Sequence, residues 1–525
     1  MPRVLIADKL SPRAAEIFAA QGIEVDVKVG LSKEELAEII GDYHGLAVRS
    51  ATKVTPKVLD QADNLKVVGR AGIGVDNIDV PAATAKGVVV MNTPFGNSIT
   101  TAEHAISMMM ALARQIPTAN ASTHAGKWEK SRFMGVELYG KTLGVFGCGN
   151  IGSIVANRAI GLQMKVIAYD PYLSVERATE IGVEKVELDD LLKRSDFLTL
   201  HTPLTKDTRG VINAEALAKM KAGARIINCA RGGLIDEDAL KVALDDGHIA
   251  GAALDVFAEE PATEHPLLGY DTVVCTPHLG ASTMEAQENV AIQVAEQMAD
   301  YLLNGAVVNA LNMASVSAQD APKLRPYLKL GDQLGSLAGQ ITESAIRSVT
   351  IEYCGHVAEL NNKPITGAIL AGLMRPSLET VNAVSAPVIA RERNVRIIES
   401  QCDSAGDYLT LIRLTVETEN RTRSTAGSLV GGELPRVIEI ENIPMELELS
   451  PNMLFVRNED QPGLIGGLGT VIGESKINIA DFRLGRKSAG GDALALVSVD
   501  GPVPADVIER VNGLPNVVRV HALRF

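Results

Sequence analysis

Apolar and polar positions follow two rhythms along this chain. Up to about residue 310, short runs of Val, Ile and Leu recur between Ala-rich stretches of helical period. Residues 4–8 (VLIAD), 45–50 (GLAVRS), 66–72 (KVVGRAG) and 88–94 (VVVMNTP) run apolar and then break at polar or glycine positions. Such runs predict parallel strands covered on both faces. A helix is predicted from about Ser98 to Arg114, and a new α/β unit from KTLGVFGCGNIG at 141–152. KVIAYD, DFLTLHTP, ARIINCARGG, GAALDV and TVVCTPH supply its later strands. The long helical stretch after Ser282 is expected to return the chain to the first unit, which would then be built from both ends.

The rhythm changes after Met313. Residues 314–450 hold several strand-like runs without a Rossmann-like repeat, and from 452 a compact β-α-β-β-α-β order is readable. The predicted class is α/β, with two Rossmann-like parallel-sheet domains, an α+β intervening domain and a ferredoxin-like terminal domain. The expected limits are 1–97 plus 285–313, 98–284, 314–450 and 451–525.

Composition narrows the function classes. At 525 residues the chain is too long for one core, and 46% hydrophobic with 22% charged residues suits globular domains. A net charge of −14 disfavours nucleic-acid binding, which needs a basic face. The five cysteines (Cys148, Cys229, Cys275, Cys354, Cys402) form no metal-ligand spacing, so no metal is expected. They read as reduced core residues. The N-terminal MPRVLIADKL reads as a strand, and no apolar run is long enough for a bilayer. The expected location is the cytoplasm.

Gly147-Cys148-Gly149-Asn150-Ile151-Gly152 is a GxGxxG between a strand and a helix, followed by a second strand ending in Asp170. This is the context of a dinucleotide site. Gly147 would allow the tight turn, Gly149 the approach of pyrophosphate, and Gly152 close helix packing. Asp170 would accept from the adenosine ribose hydroxyls and repel a 2′-phosphate, which favours NAD over NADP. Hydride chemistry on a hydroxy acid also needs a cation for the carboxylate, a base for the hydroxyl proton and a group to tune that base. Arg231, His278 and Glu260 each follow a predicted strand. Spacing alone leaves the choice open, because His201 also ends a strand and Glu259 neighbours Glu260. His104 and His44 read as packing or surface residues.

FGCGNIG, LTLHTPLTKDTRGVI, MKAGARIINCARGGLIDEDAL, AALDVFAEEP and CTPHLGAST together resemble the D-2-hydroxyacid dehydrogenase family. The resemblance implies Arg231 as carboxylate binder, His278 as acid/base and Glu260 as its carboxylate partner. It places Thr202, Pro203, Cys229, Ala230, Asp255 and Gly280 beside the cofactor. VRSATKVT and GRAGIGVDNID resemble the members that take phosphorylated substrates. By that resemblance Arg49, Ser50, Arg70, Gly72 and Asn97 face the substrate, and Lys130 or Arg132 helps hold its phosphate from a neighbouring subunit. Residues 452–525, with NEDQPGLIGG at 458–467, resemble an ACT regulatory module. Asn458, Asp460 and Asn478 would there bind L-serine. In the intervening domain Arg421, Arg423 and Arg436 are candidates for an anion site. The whole resemblance implies NAD-dependent oxidation of 3-phospho-D-glycerate by a homodimer or homotetramer. A reductase of an unphosphorylated hydroxy acid and a non-catalytic NAD sensor are the alternatives.

Overall fold

The computed structural model describes residues 1–317, 319–378 and 381–525. The chain divides into two compact units, one of residues 1–70, 75–92 and 294–525, the other of 71–74 and 93–293. The first unit opens with a parallel sheet of β1 (Arg3–Ile6), β2 (Glu24–Val27), β3 (Gly45–Val48), β4 (Val67–Arg70) and β5 (Val89–Met91), in the order β2-β1-β3-β4-β5. Gly69 and Gly45 admit a covering helix, since a Cβ at Gly69 would lie 2.2 Å from Met298 Sδ. Met298 belongs to helix Met284–Asn304, whose later part lies in this unit.

The second unit holds a seven-stranded parallel sheet. Its strands are β6 (Thr142–Phe146), β7 (Lys165–Tyr169), β8 (Glu184–Lys185), β9 (Phe197–Leu200), β10 (Ala224–Asn228), β11 (Ile249–Leu254) and β12 (Val273–Cys275), in the order β12-β11-β10-β9-β6-β7-β8. This is the doubly wound order, which reverses between β6 and β9. Helix Ser98–Arg114 packs here through Ala102, Ala105, Met109 and Leu112, a helical stripe, and ends where Gln115 turns left-handed at φ 52° ahead of Pro117.

The remaining two sheets belong to the first unit. The third contains β13 (Ile346–Gly355), β14 (Arg396–Cys402), β15 (Thr410–Thr418), β16 (Thr422–Val430), β17 (Leu434–Ile440) and β18 (Ile443–Leu447). β13 and β14 run parallel and the other pairs antiparallel. Helices Ala321–Gln340 and Lys363–Met374 meet closely, because a Cβ at Gly335, Gly339 or Gly372 would stand about 2 Å from the other helix's carbonyl oxygens. The fourth sheet contains β19 (Asn452–Glu459), β20 (Ile479–Arg486), β21 (Asp492–Val499) and β22 (Val517–Arg524), in the order β20-β21-β19-β22. Two helices, Leu464–Glu474 and Ala505–Asn512, complete the β-α-β-β-α-β module.

One expectation is corrected. Cys354 and Cys402 are not separate core thiols but a disulfide, with their Cα atoms 4.5 Å apart. Parallel pairing of β13 and β14 sets these residues directly opposite each other, a proximity invisible across 48 residues of sequence. Cys148, Cys229 and Cys275 are free. No helix among the described residues is long and apolar enough to cross a membrane.

Candidate active site

The glycine-rich turn lies where the strand order reverses, after β6 and next to β9. Gly147 has φ +89°, and a Cβ there would stand 2.7 Å from the carbonyl oxygen of His201. At Gly152 a Cβ would come within 2.0 Å of the Gly147 oxygen, so the helix Asn150–Gly161 begins closer to the turn than any side chain permits. Gly149, by contrast, faces open space, with no atom within 4 Å of where its Cβ would be. Two glycines therefore bring backbone together while the third leaves a cradle at a helix N-terminus, as bound pyrophosphate requires. Asn150 and Ile151 form the first helical turn. Asp170 follows β7, and its Oδ2 accepts from Cys148 N (2.8 Å) while Oδ1 accepts from Tyr172 N (2.8 Å). These residues fit NAD.

Thr202 and Pro203 follow β9, where the Pro203 carbonyl accepts from Thr208 Oγ1 (2.7 Å). His201 itself is a structural histidine. Its Nε2 lies 2.9 Å from Thr199 Oγ1, its Nδ1 is buried without a hydrogen-bond partner among the described residues, and burial pushes its pKa down to about 4. Cys229 and Ala230 end β10, and burial drives the Cys229 thiol far above its ordinary range.

Three neighbouring strands deliver the catalytic candidates. Arg231 follows β10, with its Nη1 donating to the Ala230 carbonyl (2.6 Å). Glu260 lies beyond β11, where Oε1 accepts from Phe257 N (3.1 Å). Its Oε2 lies 2.7 Å from Nδ1 of His278, just beyond β12. Both side chains are accessible, at 51% for His278 and 36% for Glu260, as groups that meet substrate must be. Fixing Nδ1 on the carboxylate leaves Nε2 for proton exchange. The backbone of His278 is left-handed (φ 56°) and is tied by its N–H to the Asp255 carbonyl (2.9 Å).

Arg49 and Ser50 follow β3 in the first unit, and Arg70 closes β4. The Arg49 loop is rigid, because buried Asp8 accepts from Arg49 N (2.6 Å) and Thr52 Oγ1 (2.7 Å). Asn77 also donates to the carbonyls of Arg49 (2.8 Å) and Thr52 (2.6 Å). Gly72 and Asn97 fall in the second unit. Gly72 N donates to Thr93 Oγ1 (2.7 Å), and Asn97 is buried ahead of its helix with Oδ1 unpaired among the described residues. Lys130 is exposed. Arg132 is already engaged, with Nη2 on Asp271 (2.6 Å) and Nη1 on Glu129 (3.2 Å).

In the terminal module Asn458 is buried, donating to the Glu459 carbonyl (2.8 Å) with Oδ1 unpaired among the described residues. Asp460 accepts from Arg486 (2.9 Å) and Gly490 N (3.0 Å), and hydrogen bonds from the Gly490 N–H and then Arg486 hold its pKa low. Asn478 donates to Asp500 (2.8 Å). Arg423 lines a cavity of about 420 Å³ with Arg413, Arg457 and Lys487, which Arg421 and Arg436 do not line.

Several supports of the site leave no local mark in the sequence. Glu237 accepts from Ala258 N (2.8 Å) and pairs with His265 Nε2 (3.0 Å), bracing the loop that carries Glu260. Asp8 and Asn77 brace Arg49 in the same way. Each lies far in sequence from the residue it supports, so no local pattern marks it. His104 is likewise more than a packing residue, since its Nε2 reaches Thr276 and Asp255. Ligand atoms of His104, Cys229 and Asp255 lie within 4.8 Å of one another. They suit a metal poorly, because the thiol is held protonated and the carboxylate already accepts three hydrogen bonds.

Three family models match this chain. Residues 106–280 match the NAD-binding domain of D-isomer specific 2-hydroxyacid dehydrogenases. Residues 323–441 match the D-3-phosphoglycerate dehydrogenase intervening domain and 452–516 the ACT domain. D-3-phosphoglycerate dehydrogenase of Synechocystis is 46% identical over 527 residues, covering 100% of this chain and 95% of that protein. The Methanocaldococcus jannaschii protein of the same name is 44% identical with both chains fully covered. Among solved structures, TT0316 of Thermus thermophilus is 34% identical (TM-score 0.55), covering 59% of this chain and 99% of its own. D-lactate dehydrogenase of Aquifex aeolicus, complexed with NAD and lactic acid, is 27% identical (TM-score 0.52), covering 60% and 100%.

Proposed function

Because the chain belongs to the D-3-phosphoglycerate dehydrogenase family, we propose that it oxidises the C2 hydroxyl of 3-phospho-D-glycerate to 3-phosphohydroxypyruvate, opening L-serine biosynthesis. The observation that carries the reading is the Glu260–His278 pair at 2.7 Å, with Arg231 after the adjacent strand β10 of an NAD-binding domain. NAD, when bound, accepts the hydride that leaves C2 with its electron pair. His278 Nε2 takes the hydroxyl proton as the C2 carbonyl forms, and Glu260 steadies the imidazolium. Arg231 clamps the carboxylate through its planar fork. Arg49 and Arg70, with Ser50, Gly72 and Asn97, take the rest of the substrate, and Lys130 contributes to its phosphate. Arg132 is the weaker phosphate partner, given its two acidic neighbours.

The protein works in the cytoplasm as a homodimer or homotetramer on this reading. Exposed Trp128, Met134 and Tyr139 on the second unit support assembly. Asn458, Asp460 and Asn478 form an L-serine site, with the unpaired Asn458 Oδ1 as an acceptor for the ammonium.

The test is NADH formation at mildly alkaline pH from D-3-phosphoglycerate and from D-glycerate, with the keto product trapped. Strong preference for the phosphorylated acid is expected. Equal efficiency on glycerate would overturn the roles of Arg49 and Arg70, and no NADH from either would overturn the enzyme reading.

A further inference from the structure

We propose that His104 is a positioning residue for the imidazole of His278, acting through the carboxylate of Asp255. The proposal rests on the assignment of proton transfer to His278 made above.

Asp255 lies just past β11, 1% exposed, and organises the loop on both sides of His278. Its Oδ1 accepts from Thr276 Oγ1 (2.6 Å) and Leu279 N (2.7 Å), its Oδ2 from Gly280 N (2.8 Å), and its carbonyl from His278 N (2.9 Å). The loop needs this clamp. His278 sits at φ 56°, a left-handed conformation that a side chain other than glycine's adopts only when its surroundings enforce it. Glu260 holds the imidazole ring, but nothing in that contact fixes the backbone beneath it.

A carboxylate offers about four acceptor positions. Thr276 and Leu279 fill those of Oδ1 and Gly280 one of Oδ2, and His104 stands beside Oδ1, in reach of the Thr276 hydroxyl that bonds it. Helix Ser98–Arg114 brings its Nε2 to 3.2 Å from both Asp255 Oδ1 and Thr276 Oγ1. The Thr276 proton is spent on Asp255, so its oxygen can accept from the same Nε2–H. One turn earlier the helix also touches the loop, since a Cβ at Gly280 would lie 3.4 Å from Thr101 Cγ2. Burial works against the Asp255 charge, yet the bonds from His104, Thr276 and Leu279 N keep its pKa below the ordinary value. His104 thus helps keep the anchor ionised and aimed without touching substrate.

The experiment uses the full-length enzyme at saturating NAD, with His104→Leu, His104→Gln and, as a control, His278→Ala. Glutamine sets an amide N–H near the position of Nε2, whereas leucine fills the space without a donor. His104→Leu is expected to lower kcat about tenfold or more with the substrate KM within about twofold, as for a displaced catalytic group. With substrate deuterated at C2, its isotope effect on kcat should rise, while His104→Gln should stay within about threefold of wild type. Unchanged kcat and isotope effect in His104→Leu would overturn the proposal, as would equal impairment of the leucine and glutamine variants. If His104→Leu does not fold, His104→Asn, whose amide falls short of Asp255, replaces it in the comparison. Full turnover by His278→Ala would instead remove the proton-transfer assignment, a result distinct from a silent His104 in an enzyme that needs His278.

Discussion

Each residue of the proton-handling pair is held by something other than its partner. Glu260 spends one oxygen on Phe257 N and the other on His278 Nδ1, so a neutral amide at 260 could keep the spacing but not the charge. Glu260→Gln is therefore expected to lower kcat by roughly tenfold to a hundredfold, with NAD affinity preserved in fluorescence titration. His201 makes the opposite case. Its folded pKa of about 4 lies below the value near 6.5 of the unfolded chain. In that window the unfolded chain binds more protons, so stability is full above pH 6.5 and falls as pH drops toward 4, by roughly 3 kcal/mol for this group. Thermal unfolding from pH 7 to 4.5 should show a smaller loss in His201→Gln than in wild type, and parallel curves would refute it. These two histidines also show what sequence leaves open. Both follow strands of one sheet, and only the structure shows His278 exposed against Glu260 and His201 half-buried against Thr199.

Elements were legible where a single period governs them. The helix Ser98–Arg114 coincides with its sequence limits because an unbroken apolar stripe runs to a left-handed Gln115 before Pro117. The terminal β-α-β-β-α-β order is equally plain, since alternation and helical period take turns between short glycine and proline breaks. The third sheet was not legible. Its parallel pair β13 and β14 is separated by two helices, and neither that pairing nor the Cys354–Cys402 bond leaves a local mark. Glycine spacing announced the dinucleotide turn, but the approach of His201 to Gly147 needed coordinates. At this scale Gly152→Ala is expected to raise the KM for NAD by about tenfold or more, because the new methyl displaces the turn that the helix closes on. A wild-type KM in the folded variant would contradict it.

At the scale of the whole molecule, the NAD-binding domain and the ACT domain are different modules of one chain. The α/β class and the ACT module were readable from sequence, while the supports of the site, such as Asp8 under Arg49 and Glu237 under the Glu260 loop, join residues tens of positions apart. L-serine is expected to slow turnover and raise the unfolding temperature. At a hundred times its Kd the gain is about 2.7 kcal/mol. Asn458→Ala should abolish both effects and leave basal turnover intact, and serine that changes neither property of the wild-type protein would remove the regulatory site.

The proposed NAD-dependent oxidation of D-3-phosphoglycerate turns on proton transfer by His278. Its most direct test is NADH formation by His278→Ala, with NAD binding followed by fluorescence on the same preparation. Turnover should fall by about a hundredfold or more with NAD affinity within about twofold of wild type. Turnover at the wild-type rate would contradict the account.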